Sequence, residues 1–383
     1  MKIFVSFLQS DNNYPIPAYS FWQHYIKNGI DESGHHWFEC PEADWAYGLV
    51  PKSSTEHENW KNETWKKTVN WIKENPVDLF LSYLYPQQID AKSIKEIQQI
   101  GIPCINFFCD HVREFTSIPS EYKIFDLNWV PEFKAIKMYK KAGYPYINLP
   151  MPMWVDPTER VYKEEVNNQI TFIGSIDNQR VILLSELVNL DPTLPLAIYG
   201  SGWSNNEEKE QSNNVIPKSN ILKKCINSID FIKSQGFIPL FRKITEPTAY
   251  NNEKNSLAPY IKAKPSFAEY NKLSSQSMVT LGINRYPSYR YPFLQPDTYS
   301  RLRDIEAPML GACYLTEYTE GIEELYDIGT EIMVYKSATD LNAQLQKLSS
   351  DNEKRIQLKI NGQKRALNSH HVGASINKII QAL

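Results

Sequence analysis

Cysteine is scarce and unpaired in this chain: Cys40, Cys104, Cys109, Cys225 and Cys313 are odd in number and show no CxxC spacing. Such usage argues against a disulfide scaffold and against a zinc ribbon, and it fits a reducing compartment. No Cys/His cluster has metal-ligand spacing and no DxD pair occurs, so no ready-made cation site is visible. The GxGxxG fingerprint is missing, as is GxxxxGK followed by Ser or Thr, which counts against a fingerprinted dinucleotide site and a P-loop NTPase. No apolar run approaches the roughly 18 residues of a membrane span. The start, MKIFVSFLQSDNN, lacks the charged region, longer apolar core and cleavage site of a signal peptide. A net charge of −3 gives no pull toward nucleic acid or anionic lipid. These absences leave a large soluble protein, expected in the cytoplasm and without a nucleic-acid partner.

What is present is strand-and-helix alternation, in a chain of 383 residues that exceeds what one core usually serves. KIFVSFL reads as a buried strand and SFWQHYIKNG as an amphipathic helix stopping at Gly29. TWKKTVNWIKENP, VDLFLSYL, DAKSIKEIQQIG, IPCINFFCD, FDLNWVP, FKAIKMYKKAG and YPYINLP continue the alternation to about residue 150. Alternation of this kind implies a parallel sheet with crossover helices. MPMWVDPTERVYKEEVNNQ, 151–169, has prolines and charges without a clean period and reads as a linker. A second α/β half follows over 170–365, and the closing helix, 366–383, is placed so that it can return to the first half.

In the second half, ITFIGS and LAIYGSGW are strands that end in glycine turns at the same end of one sheet. Open parallel sheets bind ligands outside the carboxyl ends of their strands, where amides and helix starts attract anions. Gly174 and Ser175 can let a diphosphate approach the main chain, Arg180 supplies a counter-charge, and Gly200 can act like Gly174 or simply make a turn. Residues 204–265 interrupt the layer as a polar and helical insertion. Its ILKKCINSIDFIKSQGFIPLFRKI tract suits either an interfacial helix near a lipid-linked acceptor or a helix packed on the domain or a second subunit. The layer resumes through a strand ending at Asn284 and Arg285, and the tyrosine-rich YPSYRYPFLQPDTY tract is placed as a lid. Residues 299–310 read as a helix that puts Arg303 and Glu306 on one face, with Gly311 turning into the strand at 312–315. Arg303 suits a phosphate as a bidentate fork, and Glu306 can accept hydroxyl hydrogen bonds. A surface ion pair is the plain alternative.

In the first half, the strand INFFCD ends in Asp110 and His111, with Arg113 and Glu114 one turn on. Asp110, His111 and Asp11 are the candidates for a base that takes a hydroxyl proton. Asp110 could equally cap the next helix, and His111 could be a satisfied imidazole. Trp22, Trp45, Tyr47 and Trp65 could stack on sugars or fill a core.

The tract carrying Arg303, Glu306, Ala307 and Gly311, with the following EELYDIGTEIMVYKSATDLNAQLQKL and SHHVGASINKII runs, resembles the C-terminal domain of bacterial group-1 glycosyltransferases related to the spore-maturation protein CgeB. The resemblance covers roughly 168–383 and is clearest over 299–380. It implies a GT-B fold, with two Rossmann-like domains whose parallel sheets face across a cleft. It also implies a sugar transfer from a nucleotide diphosphate sugar to a glycan, lipid-linked or protein hydroxyl. In that family Glu306 matches the glutamate that holds the nucleotide ribose, and Arg303 lies near the diphosphate. A further glutamate of many relatives, which touches the donor sugar, is Thr298 here, and Pro308 stands where a helix former is usual. With no metal or other cofactor expected, arginines and helix N-termini would assist departure of the nucleotide. A nucleotide-sugar-binding regulator and an epimerase of the same fold are the alternatives, and peripheral membrane contact and oligomeric state stay open.

Overall fold

In the computed structural model, residues 1–12, 14, 19–203, 241, 250–287 and 297–383 are described. The chain divides into two compact units, Met1–Trp154 with Asn368–Leu383, and Val155–Leu367. The amphipathic tract within 204–265 and the proposed lid at 286–299 fall largely outside the described residues, and Cys225 lies outside them altogether. Among the described residues no helix is long and apolar enough to cross a membrane.

The first unit is built on a 6-stranded sheet of β1 (Lys2–Ser6), β2 (His36–Phe38), β3 (Leu79–Ser82), β4 (Cys104–Phe107), β5 (Leu127–Val130) and β6 (Tyr146–Asn148), ordered β2-β1-β3-β4-β5-β6. Every pairing is parallel. A parallel sheet is covered on both faces, so its inner strands read as near-continuous apolar runs instead of alternating ones; β1, β3, β4 and β5 are buried throughout apart from Lys2, with Asn106 and Asn128 the buried polar breaks in β4 and β5. The crossovers are α1 (Tyr19–Glu32), α2 (Ser54–Glu74), α3 (Ala91–Gln99), α4 (His111–Glu114) and α5 (Phe133–Ala142).

Two of these helices outrun their sequence signals. Helix α1 passes through Gly29 instead of stopping there, because the glycine is a packing site: a Cβ on Gly29 would lie 2.4 Å from Val372 Cβ. The closing helix, Val372–Ala382, therefore seats on α1. Helix α2 starts a full ten residues before the apolar period, at a capping box in which Ser53 accepts from Glu56 N and Glu56 accepts from Ser53 N. The large aromatics of this unit are core. Trp45 and Trp65 meet edge-on at 5.0 Å, and Gln88, fully buried, ties them by donating to Trp45 O at 2.9 Å and accepting from Trp65 Nε1 at 2.8 Å through its carbonyl. Trp22, Trp45 and Trp65 are thus removed as sugar platforms; Tyr47 stays half-buried.

The second unit carries a 5-stranded sheet of β7 (Asn167–Ile173), β8 (Leu196–Tyr199), β9 (Ser277–Gly282), β10 (Tyr314–Glu317) and β11 (Met333–Tyr335), ordered β11-β10-β9-β7-β8 and again wholly parallel. Its helices are α6 (Asn178–Leu190), α7 (Asn251–Ser256), α8 (Phe267–Gln276), α9 (Arg303–Met309), α10 (Ile322–Leu325), α11 (Ala338–Ser350) and α12 (Asn352–Ser369). Helix α9 ends one residue after Pro308, and Gly311, at φ +75°, makes the left-handed turn into β10. The long α12 has no counterpart in the sequence reading: its charged face dominates, and its buried residues include Arg355 and Lys359. Arg355 pairs with Glu165 at 2.7 Å, and Lys359 donates to the Ser275 carbonyl at 2.8 Å.

Both sheets have one reversal of strand order, between β1 and β3 in the first unit and between β7 and β9 in the second. Ligand crevices form outside the carboxyl ends of strands at such a reversal.

Candidate functional site

At the reversal in the second unit, β7 runs into Gly174, Ser175 and the start of α6, where Asp177 caps the helix by accepting from Gln179 N at 2.8 Å. Arg180, in the first turn, bends back so that Nη1 donates to the Ser175 carbonyl at 2.6 Å. The neighbouring β9 leads through Asn284 and Arg285 to the segment that carries Arg301 and Arg303 into α9. These arginines share one field. Burial, then the positive charges of Arg301 and Arg303, push the Arg180 guanidinium down to about 9, still charged at neutral pH, against partial relief from Asp177. Like charges gathered in this way cost free energy in the empty protein, and a dianionic ligand reverses the sign.

Arg303 and Glu306 do share one face of α9, and a third side chain joins them. Tyr270, from α8, donates its hydroxyl to Glu306 Oε2, and the Arg303 guanidinium sits over the Tyr270 ring at 5.5 Å. Glu306 is only 4% exposed, so this is no surface ion pair. Tyr270 and Glu306 raise the Arg303 pKa against the opposing effect of burial.

Beneath them lies Asp304, fully buried. Its carboxylate accepts from Tyr314 OH at 2.8 Å, Arg301 N at 2.9 Å, Ser300 Oγ and Thr316 Oγ1 at 3.0 Å, and Asn284 Nδ2 at 3.1 Å. This one group fixes the entry to α9 against β9 and β10. Its partners are scattered over more than thirty positions of sequence, and nothing local marks Asp304 as different from any other helix-start acid.

Some expected ligand contacts turn out to be framework. Asn284 spends its amide on Asp304, Thr316 Oγ1 and Glu317 O. Arg285, 8% exposed, donates Nε to Glu317 at 2.8 Å and Nη1 to Gln179 O at 3.2 Å, while its own carbonyl accepts from Arg301. Both residues therefore position the arginine segment. Gly200 is a close-approach glycine: φ is +130°, and a Cβ there would stand 2.2 Å from Gly174 O. Gly174 N itself donates to Tyr199 O at 2.8 Å, within the strand-end hydrogen bonding. Thr298 Oγ1 donates to the Tyr318 carbonyl at 3.0 Å, which occupies its one hydroxyl proton.

In the first unit the candidates separate. Asp11 is exposed and helps line a cavity of about 400 Å³ beside Gln9, Asn12, Glu39 and Asp44, just past the end of β1. Asp110 is half-buried at the start of α4, 3.8 Å from Arg113, and its side chain does not cap the helix. Glu132 does that work, accepting from His111 N at 2.6 Å and Val112 N at 3.4 Å. His111 is fully buried, with Nδ1 3.1 Å from Glu132 and Nε2 2.8 Å from Tyr139 OH. The hydrogen-bond network assigns a neutral ring that donates at Nδ1 and accepts at Nε2. With both nitrogens engaged and no exposure, His111 is a framework residue and not the base.

Burial pushes the His111 pKa from 6.5 down to about 3. An unfolded histidine takes up a proton below pH 6.5 that the folded one refuses, so the stability contributed by the neutral ring is complete above 6.5 and is lost as pH falls toward 3. The loss reaches up to about 1.4 kcal/mol per pH unit. Urea midpoints of the wild type and His111→Gln, measured from pH 8 to 4, are expected to converge as the pH drops below 6.5.

Among the described residues no group of three or more His, Cys, Asp or Glu side chains could hold a metal ion. The described cysteines are all buried and free.

A protein-family model described as "Glycosyl transferase-like" matches residues 249–381, which contain Tyr270, Arg301, Arg303, Asp304 and Glu306. No curated protein matches the chain. Among solved structures, sucrose-phosphate synthase from Thermosynechococcus elongatus is similar over 100% of this chain and 98% of its own, at 12% identity and TM-score 0.55. A glycosyltransferase from Rickettsia africae is similar over 100% and 97%, at 9% identity and TM-score 0.58. Anabaena HepE, solved in complex with UDP and glucose, is similar over 100% of both chains, at 12% identity and TM-score 0.57. The fold is the two-sheet α/β GT-B fold of these structures.

Proposed function

We propose that the protein is a glycosyltransferase that binds a nucleoside diphosphate sugar in its second unit and passes the sugar to a hydroxyl of a glycan, lipid-linked or protein acceptor recognised by the first. The observation that carries this reading is the buried Glu306 carboxylate, joined through Tyr270 to Arg303, at the sheet reversal where the charges of Arg301 and Arg303 bear on Arg180. The arginines hold the diphosphate and stabilise the charge that grows on it as the sugar leaves. Gly174 and Ser175 form the wall from which Arg180 projects, and Glu306 accepts from the ribose hydroxyls. The cationic cluster supplies the charge that a metal ion would otherwise bring, so turnover should persist in EDTA. Placement beside the CgeB-related enzymes belongs to the same proposal and rests on the Arg303–Gly311 tract.

For the acceptor, Asp11 and Asp110 remain as carboxylates able to take a hydroxyl proton. Asp11 sits in a polar cavity of a size suited to a sugar ring. Replacing each by Asn, with donor binding as the control, should lower kcat for the true base alone.

Thermal-shift measurements against UDP-, GDP-, dTDP- and CMP-linked sugars test the donor assignment, because a ligand of the native state raises apparent stability. One of them should raise the Tm, and Glu306→Ala should abolish most of that shift. Unchanged donor affinity and turnover in Glu306→Ala would sink the assignment. Thr298 favours a second reading, a nucleotide-sugar-binding regulator, because a neutral hydroxyl, its proton donated to Tyr318 O, stands where the resemblance implies a sugar-contacting glutamate. Binding without hydrolysis or transfer under any acceptor would select that reading.

A further inference from the structure

Tyr270 lies outside every motif that the sequence makes visible, yet it is the side chain that touches both Arg303 and Glu306. It comes from a different element, α8, whose N-terminus is fixed by the Ser266–Glu269 capping box. Its hydroxyl donates to Glu306 Oε2 and its ring lies under the Arg303 guanidinium, 5.5 Å away. We infer that Tyr270 is a positioning residue of the donor site, holding the Glu306 carboxylate in the rotamer that accepts from ribose and holding Arg303 alongside it. This rests on the donor-site reading given above.

Geometry and charge agree on the direction of the hydrogen bond. Burial and then the Glu306 carboxylate raise the Tyr270 pKa, so the proton stays on the phenol and the carboxylate is the acceptor. A carboxylate on a short helix turn has rotatable bonds of its own, and fixing one oxygen aims the other. The effect should therefore appear in recognition of ribose hydroxyls and be absent when the ligand has none.

The test uses UDP, GDP and ADP with their 2′,3′-dideoxy counterparts, measured by calorimetry on the full chain. In Tyr270→Phe the ring under Arg303 remains, while the hydroxyl that bonds Glu306 and also interacts with Arg303 is lost. The best-bound ribonucleotide should weaken about tenfold, while its dideoxy analogue changes by less than about twofold. Placed in a Glu306→Ala background, Tyr270→Phe should add almost nothing, because no carboxylate is left to hold. Equal weakening of ribo- and dideoxy ligands, or full additivity with Glu306→Ala, would overturn the inference and make Tyr270 a general packing residue. If the wild type binds none of these ribonucleotides and none of the UDP-, GDP-, dTDP- and CMP-linked sugars raises its Tm, the donor-site reading itself falls and the inference with it. If the wild type binds and Glu306→Ala weakens binding but Tyr270→Phe does not, only the inference falls. A loss of fold would show as a lowered Tm in Tyr270→Phe without ligand; the ribo- and dideoxy titrations are then run well below that Tm, and equal weakening of the two ligands there still overturns the inference.

Discussion

Asp304→Ala is expected to be among the most destabilising single substitutions in the second unit, at about 3–5 kcal/mol, the scale for removing one partner of a buried charged network. The physical source is the set of donors left behind. Tyr314 OH, Thr316 Oγ1, Ser300 Oγ, Asn284 Nδ2 and the Arg301 amide all converge on this carboxylate. The site has no exposure in the folded protein, so any replacement partner must be a buried water. Each stranded donor carries a desolvation penalty of about 1–3 kcal/mol, though relaxation lets some find new partners. Asp304→Asn keeps the shape and one acceptor but points an N–H₂ at groups that are themselves donors, so it should fall between alanine and the wild type. Urea unfolding followed by tryptophan fluorescence measures the order, with Trp203 as a reporter buried in the second unit. A loss below about 1 kcal/mol for alanine would mean that the network does not hold the α9 entry. Domains have only about 5–15 kcal/mol in hand, so the variant should also bind nucleotide poorly at raised temperature.

The sheets were legible in the sequence because their inner strands are buried on both faces, and runs such as KIFVSFL and DLFLSYL have few other uses. Elements that rest on tertiary partners were not. The strand His36–Phe38 is short and partly exposed, so it lacks an apolar signature. Helix α12 buries Arg355 and Lys359 against carbonyls and Glu165, partners remote in the chain, and its composition alone looks like a solvated surface. Gly29 gave a false stop because a glycine that ends a helix and a glycine that admits a neighbouring helix are the same letter. The candidate site was legible in part for a related reason. Arg303 and Glu306 are close in sequence and share a face, whereas Tyr270, Glu132 and Asp304's partners act across elements. Asn284, Arg285 and His111 had the right chemistry in the right place, and only their hydrogen bonds reveal that it is already spent.

Arg180→Gln should separate binding from stability in opposite directions. In the ligand-free protein this guanidinium is disfavoured by burial and by Arg301 and Arg303, as the lowering of its pKa to about 9 indicates. Replacing it with a neutral amide relieves that repulsion, and an amide can still reach the Ser175 carbonyl that Arg180 Nη1 now donates to at 2.6 Å. The empty protein should therefore melt at the same temperature as the wild type or higher. Affinity for a nucleoside diphosphate should fall by about 10- to 100-fold, the range for one charge-assisted contact of about 1.5–3 kcal/mol. Affinity for the bare nucleoside should not change. The wild type should also lose diphosphate affinity steeply with salt, and the variant less steeply, because one fewer cation takes part. A purely structural arginine would give the reverse pattern, a lower Tm with binding intact. Calorimetric titrations at two ionic strengths, paired with melting curves of the ligand-free proteins, distinguish the two outcomes.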